Sequence, residues 1–299
     1  MQKTENYAAE YLNTLNQDEL IEDAETNYKE QLIDAVNLLV NGQNTIKFIF
    51  IGGPSSSGKT TSSHILKAEL LKNRITAKVI SLDDFFLERD ETPLLPNGDK
   101  DYDSVNSIDW KLFGKCMSEL LLNKSSVLPV YNFLTGEKNF GNTPTTLLDS
   151  EVIIIEGLHA LNPIIANYIP QDLSIKIYVS PQTGFTYNNK VEIDGYILRL
   201  MRRLIRDIKS RGISPERTFK TWQNVRNAES KYIIPFMDSA NFIIDTTHAY
   251  EPFMYKNILK TFSATHMDSI NYLLKKLEYF SEMEPSKVPN DSLIKEFVG

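Results

Sequence analysis

Cysteine is almost missing from this chain. Cys116 stands alone in 299 residues, so no internal disulfide can form and no cysteine-based zinc site can be built. Packing inside a helix is its expected role. Long apolar runs are missing too: none approaches the ~18 residues that span a bilayer. The opening MQKTENYAAEYLNTLNQDE is polar and lacks the apolar stretch of a signal peptide, which makes the cytosol the expected location. Basic blocks are absent, and the net charge is −7, so a nucleic-acid surface is not expected. No internal repeat and no low-complexity tract interrupts the chain. What remains, with 41% hydrophobic residues, is enough apolar material for one large α/β domain with attachments, or for two small domains.

The most informative stretch is IKFIFIGGPSSSGKTT, Ile46 to Thr61. Ile46 to Ile51 reads as a strand buried on both faces. It runs into Gly53-Pro-Ser-Ser-Ser-Gly58-Lys59-Thr60, which fits G-x-x-x-x-G-K-[ST] at every fixed position. A helix follows from Ser62. Strand, glycine loop and helix together form the context of a phosphate-binding loop. Its amides, those of Gly53, Ser55, Ser56, Ser57, Gly58 and Thr61 included, would line one hollow, and the helix N-terminus adds partial positive charge to it. Lys59 is expected to reach the β- and γ-phosphates, and Thr60 to hold Mg²⁺.

Further acids lie where strands are expected to end. Ala77 to Leu82 reads as a strand that runs into Asp83-Asp84-Phe85-Phe86, and ligands collect at the carboxyl ends of strands in open parallel sheets. Either acid is a candidate base or metal ligand. Glu151 to Glu156 reads as another apolar strand tipped by an acid, so Glu156 is expected to act on Mg²⁺, through water. His159, just beyond, is expected to be structural. Between these strands lies a long polar loop, residues 88–107, that contains Tyr102 and Asp103 and has the length of a binding loop. Residues 127–140 read as a hairpin turning at Thr135-Gly136, and Pro129 argues for an edge position.

A second pattern lies at 194–211. Arg199, Arg202, Arg203 and Arg206 fall at helical spacing on one face, and Ile197, Met201, Leu204, Ile205 and Ile208 on the other. Four like charges on one face repel unless an anion sits among them, and guanidiniums suit a triphosphate. Two helices are expected outside this frame. One follows Asn16-Gln-Asp-Glu19, a capping box, and stops at Asn41-Gly42. The other covers residues 263–282.

The order of these motifs resembles the uridine kinase and phosphoribulokinase family of P-loop kinases, most of all its bacterial uridine kinase-like branch. The resemblance covers residues 45 to 260 and rests on SLDDFF, YD, Leu128 to Phe140, EGLHALNP at Glu156 to Pro163, RLMRRLIRDIKSRG, and Trp222 to Pro235. It implies that Asp83 is the base for the acceptor hydroxyl and that Asp103 binds ribose hydroxyls. It implies that Tyr102, Tyr131 and Phe133 surround a nucleobase, that Arg199 lies near the acceptor, and that Arg202, Arg203 and Arg206 form a lid over ATP. Two departures stand out. Gly136 occupies the place of the histidine that contacts the base in uridine–cytidine kinases, and the aspartate that usually directly precedes the first arginine is missing before Arg199.

The expected fold is α/β: a doubly wound parallel sheet of the P-loop NTPase, nucleoside/nucleotide kinase-like type, with extra N- and C-terminal helices. The expected units are residues 1–45, a helical extension; 46–262, the kinase domain with its lid at about 185–212; and 263–299, a helical tail. The expected activity is ATP- and Mg²⁺-dependent phosphoryl transfer to a small-molecule hydroxyl, first the 5′-hydroxyl of a ribonucleoside, with uridine or cytidine leading. Lys59, Asp83, Arg203 and Arg206 would carry the chemistry. The expected partner is that small molecule, with neither nucleic acid nor membrane, and self-association stays open. A non-catalytic ATP-binding regulator or a kinase of another alcohol would keep the same phosphate contacts. A GTPase would need Asn-Lys-x-Asp, whereas the nearest string, Asn189-Lys190-Val191-Glu192, ends in the wrong acid.

Overall fold

The computed structural model describes residues 5–41, 46–263 and 267–299. The expected helix stop at Gly42 lies outside them. After a single helical turn at Ala9–Leu12, a long helix, α1 (Gln17–Asn41), precedes strand β1 (Phe48–Gly52) and helix α2 (Lys59–Lys72). Then come β2 (Ala77–Ser81), α3 (Trp110–Asn123), the hairpin β3 (Pro129–Asn132) and β4 (Glu137–Phe140), β5 (Val152–Gly157) and β6 (Ser174–Ser180). Helices α4 (Gly195–Arg211) and α5 (Pro215–Tyr232), strand β7 (Phe242–Asp245), and helices α6 (Glu251–Ser263), α7 (Met267–Lys276) and α8 (Lys295–Val298) follow, and Tyr7–Ala8, Phe185–Tyr187 and Lys190–Ile193 pair as a separate three-stranded sheet.

Five strands pair in the order β7-β6-β1-β5-β2, all parallel. The β1 residues are all buried, and successive residues face opposite layers. Ile49 and Ile51 join one core with Ile154, Ile177 and the helices α1, α2, α4 and α6, whereas Phe48 and Phe50 join the other with Phe113 and Met117 of α3. Helices cover both faces, so the sheet is doubly wound. Leu20, Ala24, Tyr28, Leu32 and Val36 of α1 are buried in the first core, as are Leu293, Ile294, Phe297 and Val298 at the other end of the chain. Asn16 caps α1: its Oδ1 accepts from the Asp18 amide at 2.8 Å. Among the described residues no helix is long and apolar enough to cross a membrane.

The helix expected over 263–282 is α7, which starts at Met267 and ends at Lys276; α6 occupies the residues up to Ser263. The hairpin pairs antiparallel as a separate two-stranded ribbon, which leaves Pro129 outside the central ladder.

Helix α4 differs from the pattern read in the sequence. Its apolar side, Ile197, Met201, Leu204 and Ile205, is buried, but so are Arg199 and Arg202. Arg202 is completely inaccessible. Its Nε and Nη2 donate to the two carboxylate oxygens of Glu251 at 2.8 and 2.7 Å. The other donors go to Thr246 and the Ser56 carbonyl. Arg199 makes a two-pronged pair with Glu229 at 2.7 and 2.9 Å. Two of the four guanidiniums are therefore held in buried two-pronged pairs, and Arg203 and Arg206 lie 3.5 and 3.7 Å from carboxylate oxygens of Asp207 and Glu296, which together relieve the repulsion that a four-arginine face implied. Bidentate geometry is what makes such burial tolerable.

Removing one partner of a buried pair leaves the other charge uncompensated. Glu251→Ala should lower the unfolding free energy by about 3–5 kcal/mol in urea denaturation followed by circular dichroism. A loss below ~1 kcal/mol would mean that the pair is not needed for stability.

Candidate functional site

The loop 53–58 joins the carboxyl end of β1 to α2. Gly53 is required there by close approach, since a Cβ on it would stand 2.0 Å from the Val179 carbonyl oxygen. Ser56 adopts φ +58 and Gly58 φ +92, the left-handed turns that curl a loop around an anion. The loop is held from behind by its carbonyls. Arg199 Nη1 donates to the Ser55 carbonyl at 3.0 Å, and Arg202 Nη1 to that of Ser56 at 3.4 Å. Thr246 Oγ1 donates to the Ser57 carbonyl at 2.8 Å. The amides of Ser56, Ser57 and Gly58 make no hydrogen bond to another described residue. They are the donors that an anion would take. Arg203 and Arg206 approach from the open side, with Nη atoms 3.3 and 3.2 Å from the hydroxyls of Ser55 and Ser56. Lys59 Nζ donates to the Pro54 carbonyl at 3.0 Å.

Strand register brings the acids to this loop. In the parallel ladder Ser81 lies beside Glu156, and Glu156 beside Ile51. Ser81 Oγ donates to Glu156 Oε1 at 2.7 Å, and Thr60 Oγ1 lies 3.5 Å from the same oxygen. The turn that follows β2 carries Asp83 and Asp84 in different directions. Asp84 Oδ1 accepts from the Tyr131 amide at 3.2 Å, tying the hairpin down. Asp83 faces the charges of Lys59, Arg206 and Arg211.

Crowding shapes the electrostatics. Burial and then Asp83 push the Glu156 carboxyl up to about 7. Burial raises Asp83, against the opposing field of Lys59. Lys59 is lowered by burial, with Glu156 and Asp83 acting the other way. These shifts mark a site whose charges are balanced only locally. Thr60 and Glu156 offer hard oxygens of the kind that Mg²⁺ accepts, and that ion normally keeps waters and phosphate oxygens as its other ligands. Among the described residues no group of three or more His, Cys, Asp or Glu forms a protein-only metal cage, which a site of that design does not need.

Beyond the acids lies an aromatic cluster. Phe86 stands 6.0 Å from Tyr102, 5.6 Å from Tyr131 and 5.9 Å from Phe133, centroid to centroid. Asp103 lies near the charges of Arg203, Glu229 and Asp83, and burial, the largest influence on it, raises its carboxyl to about 6. His159 is buried, and burial lowers it to about 4, so its ring is neutral. Gly136 has φ +79, and a Cβ there would meet Arg89 Nε at 2.6 Å. Arg89 instead donates from Nη2 to the carbonyls of Phe133 and Leu134 at 3.0 Å each.

Lys59, Thr60, Asp83, Glu156, Arg203 and Arg206 thus gather around one loop, and Tyr102, Asp103, Tyr131 and Phe133 lie to one side of it. Arg199 and Arg202 reach the loop only at its carbonyls. Three functional positions carried no signal as such in the sequence, Arg89, Glu251 and Thr246, whereas Glu229 stood only as one residue of the Trp222 to Pro235 motif, with no partner indicated. Their partners lie 30 to 189 residues away along the chain. The Arg89 contact is a turn-side pairing that no periodicity announces.

Comparison with known proteins bears on this arrangement. Residues 48–251 match the Phosphoribulokinase / Uridine kinase family. A uridine kinase of Clostridium tetani is 30% identical over 199 residues, 66% of this chain and 85% of that protein. A uridine kinase of Ureaplasma parvum is 27% identical, covering 64% and 84%. A uridine kinase of Schizosaccharomyces pombe is 31% identical over 169 residues, but the match spans only 33% of its length. Among solved structures, a possible uridine kinase from Bacillus stearothermophilus aligns with a TM-score of 0.50 at 17% identity, over 72% of this chain and 98% of that one. That likeness bears on the fold alone.

The Asp103 carboxyl generates a pH prediction. In the role that the resemblance implies, holding substrate hydroxyls, Asp103 works ionised, so kcat/KM for the hydroxyl substrate should then rise with pH through about 6 and level off. Asp103→Asn should remove that rise and leave the KM for ATP near its original value. The sign for stability is opposite. The contribution of this raised carboxyl is present below its ordinary value of 3.8 and is lost as pH rises through about 6. An unchanged pH profile in Asp103→Asn would take Asp103 out of acceptor binding.

Proposed function

Since the chain belongs to the Phosphoribulokinase / Uridine kinase family, we propose that it transfers the γ-phosphoryl group of ATP to a hydroxyl of a small molecule, first the 5′-hydroxyl of a ribonucleoside. The observation that carries this reading is the convergence of Lys59, Asp83 and Glu156 beside a loop with free amides: Lys59 and Glu156 each feel the charges of the other two groups, and Asp83 feels that of Lys59.

Phosphoryl transfer asks for positioning and charge neutralisation more than for covalent chemistry. The free amides of the loop hold phosphate oxygens, and Lys59, Arg203 and Arg206 offset their charge. Thr60 and Glu156 would hold Mg²⁺, which would supply further charge neutralisation at the phosphates. Asp83 takes the proton of the acceptor hydroxyl as the new oxygen–phosphorus bond forms. The bond from the γ-phosphorus to the β,γ-bridging oxygen breaks, and ADP leaves with the charge. A raised carboxyl is a stronger base than a free one, which suits this role. Asp84, occupied with the Tyr131 amide, braces the acceptor side.

Asp103 offers a carboxylate to vicinal hydroxyls, and Tyr102, Tyr131 and Phe133 offer flat surfaces that accept any ring. At position 136 no side chain reads the base, and Arg89 fills the adjoining space. The acceptor site is therefore ribose-dependent and tolerant of the base, because strong discrimination comes from a group that hydrogen-bonds the ligand.

Steady-state kinetics test both halves of this reading. Uridine, cytidine and adenosine should differ by less than about tenfold in kcat/KM, or ~1.4 kcal/mol, with 2′-deoxyuridine poor. Strict preference for one pyrimidine would mean that another residue reads the base, and no turnover of any ribonucleoside would move the acceptor outside this class. Asp83→Asn should lower kcat by about 10²-fold or more with the ATP affinity little changed. Should Asp84→Asn do the damage instead, the roles of the two acids are reversed.

A further inference from the structure

The far end of the chain comes back to the phosphate loop. Leu293 packs on Gly58 so closely that a Cβ on the glycine would lie 2.4 Å from Leu293 Cδ1. Phe297 is fully buried, with the guanidiniums of Arg202 and Arg206 at 5.0 and 6.0 Å from its ring centroid. Lys209 Nζ donates to the Val298 carbonyl at 2.7 Å. These anchors set Glu296 at the first turn of α2. Thr61 Oγ1 donates to Glu296 Oε2 at 2.7 Å, and Arg206 Nη1 lies 3.7 Å from Oε1. The family match ends at residue 251 and so assigns nothing to this residue.

A carboxylate in this place is an anion among groups that hold anions. It has a hydroxyl donor, a guanidinium and the positive end of a helix around it. Arg206 is short of such partners: its buried Nε has no hydrogen-bond partner among the described residues, and only the charges of Glu296 and Asp207 offset its burial. A phosphate held by Thr61 and Arg206 would stand next to the same carboxylate and be repelled by it. The side chain can turn away without moving its backbone. Its relative exposure is 21%, and that of Arg206 is 15%, whereas the anchors on either side are buried.

We infer that Glu296 is a residue of the nucleotide site, whose carboxylate competes with a nucleotide phosphate for Thr61 and Arg206 and so sets the affinity for the nucleotide. The inference rests on the proposed kinase function, which gives both groups to the nucleotide. It makes residues 293–298 part of the site through one exchangeable side chain on a fixed support.

Glu296→Gln tests it, because the amide keeps the length and an acceptor for Thr61 while removing the charge. Isothermal titration of the full chain with ATP and Mg²⁺ should give a Kd lower by about fivefold or more, the effect of deleting one near like charge at a partly screened site. Glu296→Ala, which also releases Thr61, should bind at least as tightly as the parent. Unchanged or weaker binding in Glu296→Gln would overturn the inference and leave Glu296 as a brace for Arg206. Lys59→Ala is the reference. If parent binding depends on Lys59 and Glu296→Gln changes nothing, only this inference falls. If parent binding does not depend on Lys59, the nucleotide-site reading falls with it.

Discussion

A loop that cradles an anion must turn its amides inward, and therefore its carbonyls outward. Outward carbonyls inside a protein need donors. Here Arg199, Arg202 and Thr246 provide them for Ser55, Ser56 and Ser57. Each arginine, buried as it is, needs a carboxylate in turn, and Glu229 and Glu251 serve. Glu229 also accepts from the Ser55 amide at 3.0 Å, so that carboxylate touches both the guanidinium and the loop. The positions of α4, α5 and α6 follow from this chain of demands. A shift of any of these helices would strand a charge or a carbonyl.

The same economy of partners explains why the acids are strained electrostatically. Glu156, Asp83 and Lys59 share a small space between adjacent strands, and burial opposes the charge on each. Among the described residues the cluster has few cations close by: Lys59, with Arg206 and Arg211 in the background of Asp83. Such a set gains from the arrival of a charged ligand more than a relaxed surface could. Pre-arranged but poorly satisfied charge is what an electrostatic catalyst needs, and the fold tolerates it because the buried ion pairs behind the loop are complete.

Beyond the acids the organising element is the hairpin. Asp84 holds its Tyr131 amide, and Arg89 holds the carbonyls at its turn. These contacts set Tyr131 and Phe133 against Phe86 at 5.6 and 5.9 Å. Gly136 is thus a structural requirement, for the turn needs its positive φ and Arg89 occupies the space that a side chain would enter.

Local signals determined the parts list. Every atom needed to read the phosphate loop lies within sixteen residues, Ile46 to Thr61. The strands around it are short apolar runs, and the amphipathic helices α1 and α4 follow from 3.6-residue periodicity. Asp83 and Glu156 stood out because parallel strands deliver their ends to one edge. Periodicity could not say which arginines of α4 are buried in two-pronged pairs with a carboxylate and which stay partly exposed beside the loop. Arg199 and Arg202 have the spacing of Arg203 and Arg206, and only the packed positions of Glu229 and Glu251, 30 and 49 residues away, separate them. The contact of Glu296 with Thr61 spans 235 residues, and the space beside Gly136 is claimed by Arg89 from another loop. Spacing records how a segment repeats along its own axis, whereas the choice of counter-charge is made by segments that meet only when the core closes. Which elements form was therefore written locally, and which charges remain available for chemistry was decided by the tertiary structure.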